Sequence, residues 1–99
     1  MLHILRHSPY SDSRVASCLR VIEPGQSVLF IEEAVYNLLS DTAIHETLKQ
    51  LPNDIGLYVL ESDLLARGLC LKALTSRVQV TDYLGMVTLC ANHTKVVSW

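Results

Sequence analysis

The 99-residue chain has 49% hydrophobic and 18% charged residues, and its formal net charge is −2. The eight basic residues are scattered along the chain, a distribution that argues against direct nucleic-acid binding through a basic patch. No apolar run approaches the ~20 residues that span a bilayer and no signal-peptide pattern is present, so we expect a soluble, cytoplasmic protein without a membrane partner.

The first part of the chain predicts a strand, a helix and a second strand. Residues 1–5 show a short alternating strand pattern. A helix begins near residues 11–13, where hydroxyl and carboxylate side chains can cap free amides. Its apolar face repeats at helical spacing, at Val15, Cys18, Leu19 and Ile22. The near-continuous apolar run at residues 27–31 indicates a strand that is covered on both faces.

The middle of the chain continues the alternation of helices and strands. Two short helices are predicted, at residues 34–39 and 42–51, and a third strand follows at residues 57–60. Ser62 or Asp63 can cap the next helix. That helix ends before Gly68, because glycine suits the left-handed position just past a helix end.

The last third of the chain begins with an ambiguous segment, residues 69–76, which is compatible with a short helix or a loop. A brief fourth strand is predicted at residues 78–80, and Thr81 or Asp82 opens the last helix. The apolar face of this helix is predicted at Tyr83, Met86, Val87 and Cys90. Residues 95–99 are compatible with a final strand, which at a sheet edge can be antiparallel.

Strands that alternate with helices predict one α/β domain over residues 1–99. We expect a Rossmann-like or flavodoxin-like three-layer sandwich around a mostly parallel sheet of four or five strands, because such crossovers are right-handed. The apolar content is high for so small a domain, which indicates that another subunit covers part of the surface.

Several kinds of site lack their residues in this sequence. The four glycines are isolated, so no glycine-rich phosphate loop is present. The three cysteines are an odd number without a C-x-x-C motif, a pattern that indicates free thiols in a reducing compartment. The four histidines are interpreted as structural or surface residues. We therefore assign no cofactor and no metal.

Cys18 is the candidate catalytic residue, as a reactive thiol, and two interpretations of it stay open. Arg14 lies one helical turn before it and Arg20 is close, and nearby cations favour a thiolate. Cys18 also falls on the apolar stripe of its helix and late in that helix, where the helix dipole disfavours a thiolate. The alternative is therefore a buried packing residue.

The candidate interface residues lie in two segments of the chain. Glu32 and Glu33 follow the second strand directly, and Tyr36 is close behind them; the carboxyl ends of parallel strands are where sites form. His93 and Trp99 flank the final strand. An exposed tryptophan is a natural interface anchor, but Trp99 can equally cap the core of its own domain.

The chain resembles the DsrH/TusB family in four segments that occur in order and together cover nearly all of it. These are MLHIL followed by SP at residues 1–9, GQSVLF and EEAV at residues 25–35, YVL, DL and ARGL at residues 58–69, and the final segment with DY, H and W at residues 82–99.

The resemblance implies a Rossmann-like subunit of a heterohexameric sulfur-relay complex, a dimer of heterotrimers. Its partners would be DsrE/TusD-like and DsrF/TusC-like subunits and, indirectly, a cysteine desulfurase and a downstream sulfur carrier. In one branch of the family the complex passes sulfur towards the wobble uridine of tRNA, where it becomes a 2-thio group. The carrier cysteine of the DsrE/TusD type falls near Leu60, Glu61 and Ser62, where this chain has no thiol. We therefore expect a non-catalytic subunit.

Two alternatives remain at the level of the sequence. The local pattern Ser17-Cys18-Leu19 is similar to that of DsrH-type members that carry a cysteine, so the first alternative is a sulfur-carrier subunit of a dissimilatory sulfur-oxidation complex that uses Cys18. The second is an unrelated flavodoxin-like binding module.

Overall fold

A computed structural model describes residues 1–8, 10, 13–39, 42–70, 74 and 77–99. The strands are β1 (Leu2–Leu5), β2 (Ser27–Phe30), β3 (Gly56–Leu60), β4 (Gln79–Thr81) and β5 (Val96–Ser98). The helices are α1 (Arg14–Val21), α2 (Ala43–Gln50), α3 (Glu61–Ala66) and α4 (Tyr83–Asn92), with a 3-10 helix at Glu32–Leu38 between β2 and α2. This alternation confirms the predicted α/β class.

The five strands form one sheet in the order β4-β3-β2-β1-β5. Every pairing of these strands is parallel, including that of β1 with β5, in which Leu2 lies beside Val96 and Ile4 beside Ser98. An antiparallel last strand was therefore the wrong alternative. The crossover through α4 carries the chain from one edge of the sheet to the other, and it brings β5 back in the same direction as its neighbour.

One face of the sheet is covered by three helices and the 3-10 helix. The chain steps from β1 to β4 in one direction, so right-handed crossovers place α1, α2 and α3 on the same side. Their apolar residues pack with alternate residues of the three central strands, such as Leu5, Phe30 and Val59. All three of these strand side chains are completely buried. We call this the first face.

The second face of the sheet is covered by α4, because the chain reverses direction between β4 and β5. Leu2 and Leu29 are completely buried there, yet no residue of α4 itself is buried. Gly85 lies against the Thr81 hydroxyl so closely that a Cβ atom at this position would collide with it. This position at the start of α4 therefore requires a glycine.

The helix ends agree with the sequence predictions at two places. Asp82 caps α4, since its carboxylate accepts a hydrogen bond from the Gly85 amide at 2.8 Å. Gly68 follows α3 with a φ of 66°, the left-handed conformation expected just past a helix end.

Other helix predictions were wrong or lie outside the described residues. The helix predicted at residues 34–39 is a 3-10 helix that begins at Glu32, and α3 begins at Glu61 without a cap from Ser62 or Asp63. Of the capping residues predicted for α1, Ser13 is described and makes no side-chain cap, whereas residues 11 and 12 lie outside the described set. Most of the ambiguous segment 69–76 also lies outside it; within that segment Leu74 forms an isolated bridge with Leu39.

Arg77 connects the end of α2 to the loop before β3. Its guanidinium donates hydrogen bonds to the carbonyl oxygens of Leu48, Leu51, Pro52 and Ile55 at 2.7–3.2 Å. The carbonyls at a helix end lack partners within the helix, and Arg77 binds one of them, that of Leu48, together with three carbonyls that follow the helix. Among the described residues, no helix is long and apolar enough to cross a membrane.

Candidate functional site

Cys18 is completely buried on the inner side of α1. Burial raises the pKa of its thiol from 9.0 to about 12, because a low-dielectric environment disfavours the charged thiolate. Arg14, the neighbouring cation, donates to Nε2 of His7 at 2.7 Å, and Nε of Arg20 donates to the Ala16 carbonyl. In this state of the chain Cys18 is a protonated packing residue, and its use as a sulfur carrier stays a prediction that requires α1 to open.

The carboxyl end of β3 is the position at which the resemblance places a carrier thiol in proteins of the DsrE/TusD type. Here it holds Leu60, which is 2% exposed, followed by Glu61 and Ser62, which are exposed at the start of α3. Neither a hydroxyl nor a carboxylate can carry persulfide sulfur. The position is therefore accessible but lacks the atom that the relay chemistry needs.

Glu33, Asp63 and Arg67 form an ion-paired cluster at the carboxyl ends of β2 and β3, and the backbone amide of Glu32 is hydrogen-bonded to it. Glu32 adopts a left-handed backbone with φ 51°, and its amide donates to Oδ2 of Asp63 at 2.8 Å. Arg67 donates to Oε1 of Glu33 at 2.9 Å and to Oδ1 of Asp63 at 3.4 Å. The hydrogen bond to Glu33 raises the pKa of the Arg67 guanidinium further. The cluster connects the 3-10 helix to α3.

Tyr36, the third residue predicted at this edge, is half-buried beside Tyr10, with ring centroids 6.5 Å apart. The structure therefore brings Glu32, Glu33 and Tyr36 to one edge of the sheet. The sequence prediction missed Asp63 and Arg67, which bind the two glutamates from another helix. Their signal is the i, i+4 spacing of opposite charges in a short helix, but that spacing does not reveal contacts with a residue 34 positions away.

Trp99 is half-buried and packs on its own domain. Its indole Nε1–H donates to Nδ1 of His3 at 3.1 Å, and Nε2 of His3 lies 2.8 Å from Oε1 of Gln26. Because Trp99 can only donate and a side-chain Oε1 can only accept, His3 is the neutral tautomer that carries its proton on Nε2. An interface role for Trp99 stays a prediction. Part of its ring already packs against the core of its own domain.

His93 lies before β5 and Trp99 after it, so they occupy opposite ends of that strand. Nδ1 of His93 donates to the Leu89 carbonyl oxygen at 2.7 Å, which satisfies a carbonyl at the end of α4. The five predicted interface residues thus do not form one continuous patch. Glu32, Glu33 and Tyr36 lie at the carboxyl edge, whereas His93 lies at the amino edge.

An open cleft lies between α4 and the edge of the sheet. Its volume is about 440 Å³, and its walls include Tyr58 and Gln79 on the strands and Leu84 and Thr88 on α4. The described wall is a mixture of hydroxyl, amide and apolar groups with one exposed carboxylate, that of Asp82, and it includes no buried charge and no thiol. Its geometry therefore indicates no reaction.

Comparison with known proteins identifies the family. The family model described as "DsrH like protein" matches residues 7–96. The chain belongs to the DsrH family. It is 34% identical to the Protein TusB of Erwinia tasmaniensis and 30% identical to the Protein TusB of Escherichia coli, and in both cases the alignment covers 100% of this chain and of the relative. The resemblance seen in the sequence is thereby confirmed.

Solved structures support the fold of this DsrH family member. The ychN protein from E. coli superposes with a TM-score of 0.85 at 15% identity, covering 99% of this chain and 97% of that one. A protein of unknown function from Methanobacterium thermoautotrophicum, MTH1491, gives a TM-score of 0.73 at 17% identity and covers 99% and 96% of the two chains. At these identities the similarity concerns the fold alone.

Proposed function

We propose that this protein is a non-catalytic subunit of a cytoplasmic sulfur-relay complex. Membership of the DsrH family and full-length similarity to TusB proteins support a sulfur-relay subunit. In the proposed complex the chain joins DsrE/TusD-like and DsrF/TusC-like subunits in a heterohexamer. Similarity to proteins named TusB favours the branch that ends in 2-thiolation of the wobble uridine in tRNA.

The observation that carries the non-catalytic assignment is the state of the thiols. The exposed carboxyl end of β3 offers Glu61 and Ser62 without a cysteine. Cys18 is inaccessible, and its thiol has a pKa of about 12. Persulfide transfer requires a thiolate that can reach the outer sulfur of the donor. Neither of these two places meets both conditions, which supports a role in completing the assembly and shaping its surface.

The experiment is native mass spectrometry of the complex, purified gently from cells that express the tagged chain at its natural level. We expect two similar small subunits in equal stoichiometry and persulfide on a partner. The matched variants are Cys18→Ser and Cys70→Ser, of which only the first alters a buried thiol.

Two results contradict the proposal in different ways. A sulfur adduct on Cys18 that disappears in Cys18→Ser while the complex stays intact would make this chain a carrier, which is the sulfur-oxidation alternative. A chain that purifies without any partner would contradict the relay assembly itself. The unrelated binding module is no longer supported, because the chain belongs to the DsrH family.

A further inference from the structure

His3 is a buried histidine whose two ring nitrogens both have side-chain partners. It lies on β1, two residues before Leu5 and therefore on the first face of the sheet, and only 4% of its surface is exposed. Nδ1 accepts a hydrogen bond from Nε1–H of Trp99 at 3.1 Å, and Nε2 lies 2.8 Å from Oε1 of Gln26. His3 thus joins β1 to the turn before β2 and to the residue that follows β5.

The partners of His3 determine where its proton lies. Oε1 of Gln26 also accepts a hydrogen bond from the backbone amide of Glu23 at 3.3 Å. An amide nitrogen in its place would set a donor against a donor, so this atom is the oxygen and Nε2 of His3 donates to it. An indole N–H can only donate, so Nδ1 of His3 is unprotonated. Only the neutral ring with its proton on Nε2 satisfies both partners.

A second proton on His3 has no place in this arrangement. It would bind to Nδ1 and point at the Trp99 N–H, so that a donor faces a donor at 3.1 Å. The charged ring would also meet the indole at its electropositive edge, and not over the face that attracts cations. The loss of this hydrogen bond should multiply the ratio of released to attached indole by roughly fivefold or more.

The charged groups around His3 do not compensate for the added proton. His3 has no ion pair among the described residues, and β2 and β5 contain no charged residue. Glu23 is the only acidic residue between α1 and β2, and it is exposed to water, which weakens its attraction for a protonated ring. The other charged groups on the neighbouring segments are basic and oppose a further positive charge: the Met1 amino group, Arg20 and Lys95.

Trp99 is the residue that attaches β5 to the core. The residues before it, 94–98, are all exposed, including the whole of β5, whereas Trp99 is half-buried and packs against the core. The other attachment of β5 is its backbone pairing with β1, on one side only, because β5 is the last strand of the sheet. Segments with few buried apolar contacts open locally at the lowest free energy. Release of the indole therefore loosens β5.

We propose that His3 and Trp99 form a pH-dependent switch at this edge of the sheet. At pH 8 the neutral His3 holds the indole, and β5 covers the edge of β1. When His3 takes up a proton, the indole leaves and the edge of β1 opens, while the rest of the fold stays intact. Histidine suits this role because its charge normally changes between pH 5 and pH 8. The inference goes beyond the relay function and does not depend on it, because it concerns contacts within one chain.

The test uses the purified chain and follows Trp99, its only tryptophan. Acrylamide is an uncharged quencher, so its access to the indole reports exposure at any pH. We expect the acrylamide quenching constant to rise, and the emission maximum to move to longer wavelength, between pH 8 and pH 5. Emission intensity alone does not suffice, because a protonated imidazole quenches a nearby indole without any movement. Far-UV circular dichroism at both pH values checks that the rest of the chain stays folded.

Single substitutions separate His3 from the other histidines. His3→Gln removes the titrating ring and should make the quenching constant independent of pH over this range. His93→Gln is the matched control, because His93 lies at the opposite end of β5 from Trp99 and donates to the Leu89 carbonyl. It should keep the pH dependence of the wild type. If circular dichroism shows that His3→Gln is unfolded, His3→Asn provides the same comparison with a smaller neutral side chain.

Each of three results overturns the proposal. The first is a wild-type quenching constant that is the same at pH 8 and pH 5. The second is a pH dependence that persists when His3 is replaced, or that is lost in His93→Gln. The third is a loss of the circular dichroism of the fold together with the change in quenching, because the whole chain would then unfold and β5 would not be released alone. None of these results changes which subunits co-purify with the chain, so the relay function would stand.

Discussion

The two faces of the sheet differ in how completely they are covered. The first face lies under four helical elements, and its strand side chains Leu5, Phe30 and Val59 are completely buried. The second face lies under α4, none of whose residues is buried. The high apolar content of this small chain is thus unevenly distributed. One face has a finished core, and the other presents apolar surface on the outside of its covering helix.

The largest expected effect compares one leucine from each side. Leu48 on α2 is completely buried in the core, whereas Leu84 on α4 is 75% exposed. Leu48→Ala should lower the free energy of unfolding by about 2–5 kcal/mol, because it removes buried methyl groups and leaves a cavity. Leu84→Ala should change it by less than about 0.5 kcal/mol. Urea denaturation measures both changes in the free energy of unfolding. Equal losses in the free energy of unfolding would show that Leu84 contributes as much to the stability of the fold as Leu48, and would contradict the difference between the two faces.

A second prediction concerns Cys18, in the core of the first face, and the pH dependence of the free energy of unfolding. The pKa of its thiol is about 12 in the folded chain and near 9.0 when exposed. Above pH 9 the unfolded state loses this proton and the folded state keeps it, so stability falls as the pH rises. At pH 10 the Cys18 thiol lowers the free energy of unfolding by about 1.4 kcal/mol. Cys18→Ala should therefore lose less stability than the wild type between pH 8 and pH 10.

Cys70→Ala provides the comparison for this experiment, since Cys70 is exposed. It should retain the steeper pH dependence of the wild type. If Cys18→Ala and Cys70→Ala have the same dependence, Cys18 ionises as easily in the folded chain as in the unfolded one. The thiol would then be accessible, and the case for a carrier role would be stronger.

The smallest expected effect is at the edge, where the tryptophan side chain reaches the first face from β5. Trp99→Phe keeps an aromatic ring but removes the N–H that donates to Nδ1 of His3. Loss of one such hydrogen bond should cost about 1 kcal/mol. A double-mutant cycle with His3→Ala isolates the pairwise interaction. A coupling energy near zero would mean that the ring packs on the core without this hydrogen bond.

The first face was predictable from the sequence, whereas α4 was only partly so. The spacing of Val15, Cys18 and Leu19 identified the buried side of α1 because that helix has a polar side opposite. In α4 the same reasoning assigned Tyr83 and Val87 to the apolar side, but both are exposed. Because α4 has no charged residues, the hydrophobic pattern of its sequence does not distinguish the side that faces the sheet from the side that faces away.

The candidate site shows a similar division. That two glutamates follow β2 could be seen in the sequence, and the parallel sheet places them at the edge where sites form. Their pairing with Arg67 and Asp63 depends on how α3 lies beside the 3-10 helix, a tertiary contact that local patterns do not encode. The burial of Cys18 was one of two open alternatives, because helical spacing favoured it and the neighbouring arginines opposed it. The direction of β5 was also undetermined, since three residues carry no signal of orientation.

The position of β5 has a consequence for the order in which the protein is made. β5 pairs with β1, and the Trp99 indole reaches His3 across 96 positions of sequence. While the ribosome is still adding residues, β1 is paired on one side with β2 and has an open edge on the other. Bonds between distant parts of a chain form slowly, and an unpaired strand edge is a template for other chains. We therefore expect the nascent protein to be most prone to aggregation in the interval between the synthesis of β2 and that of β5, when β1 lacks its second neighbour.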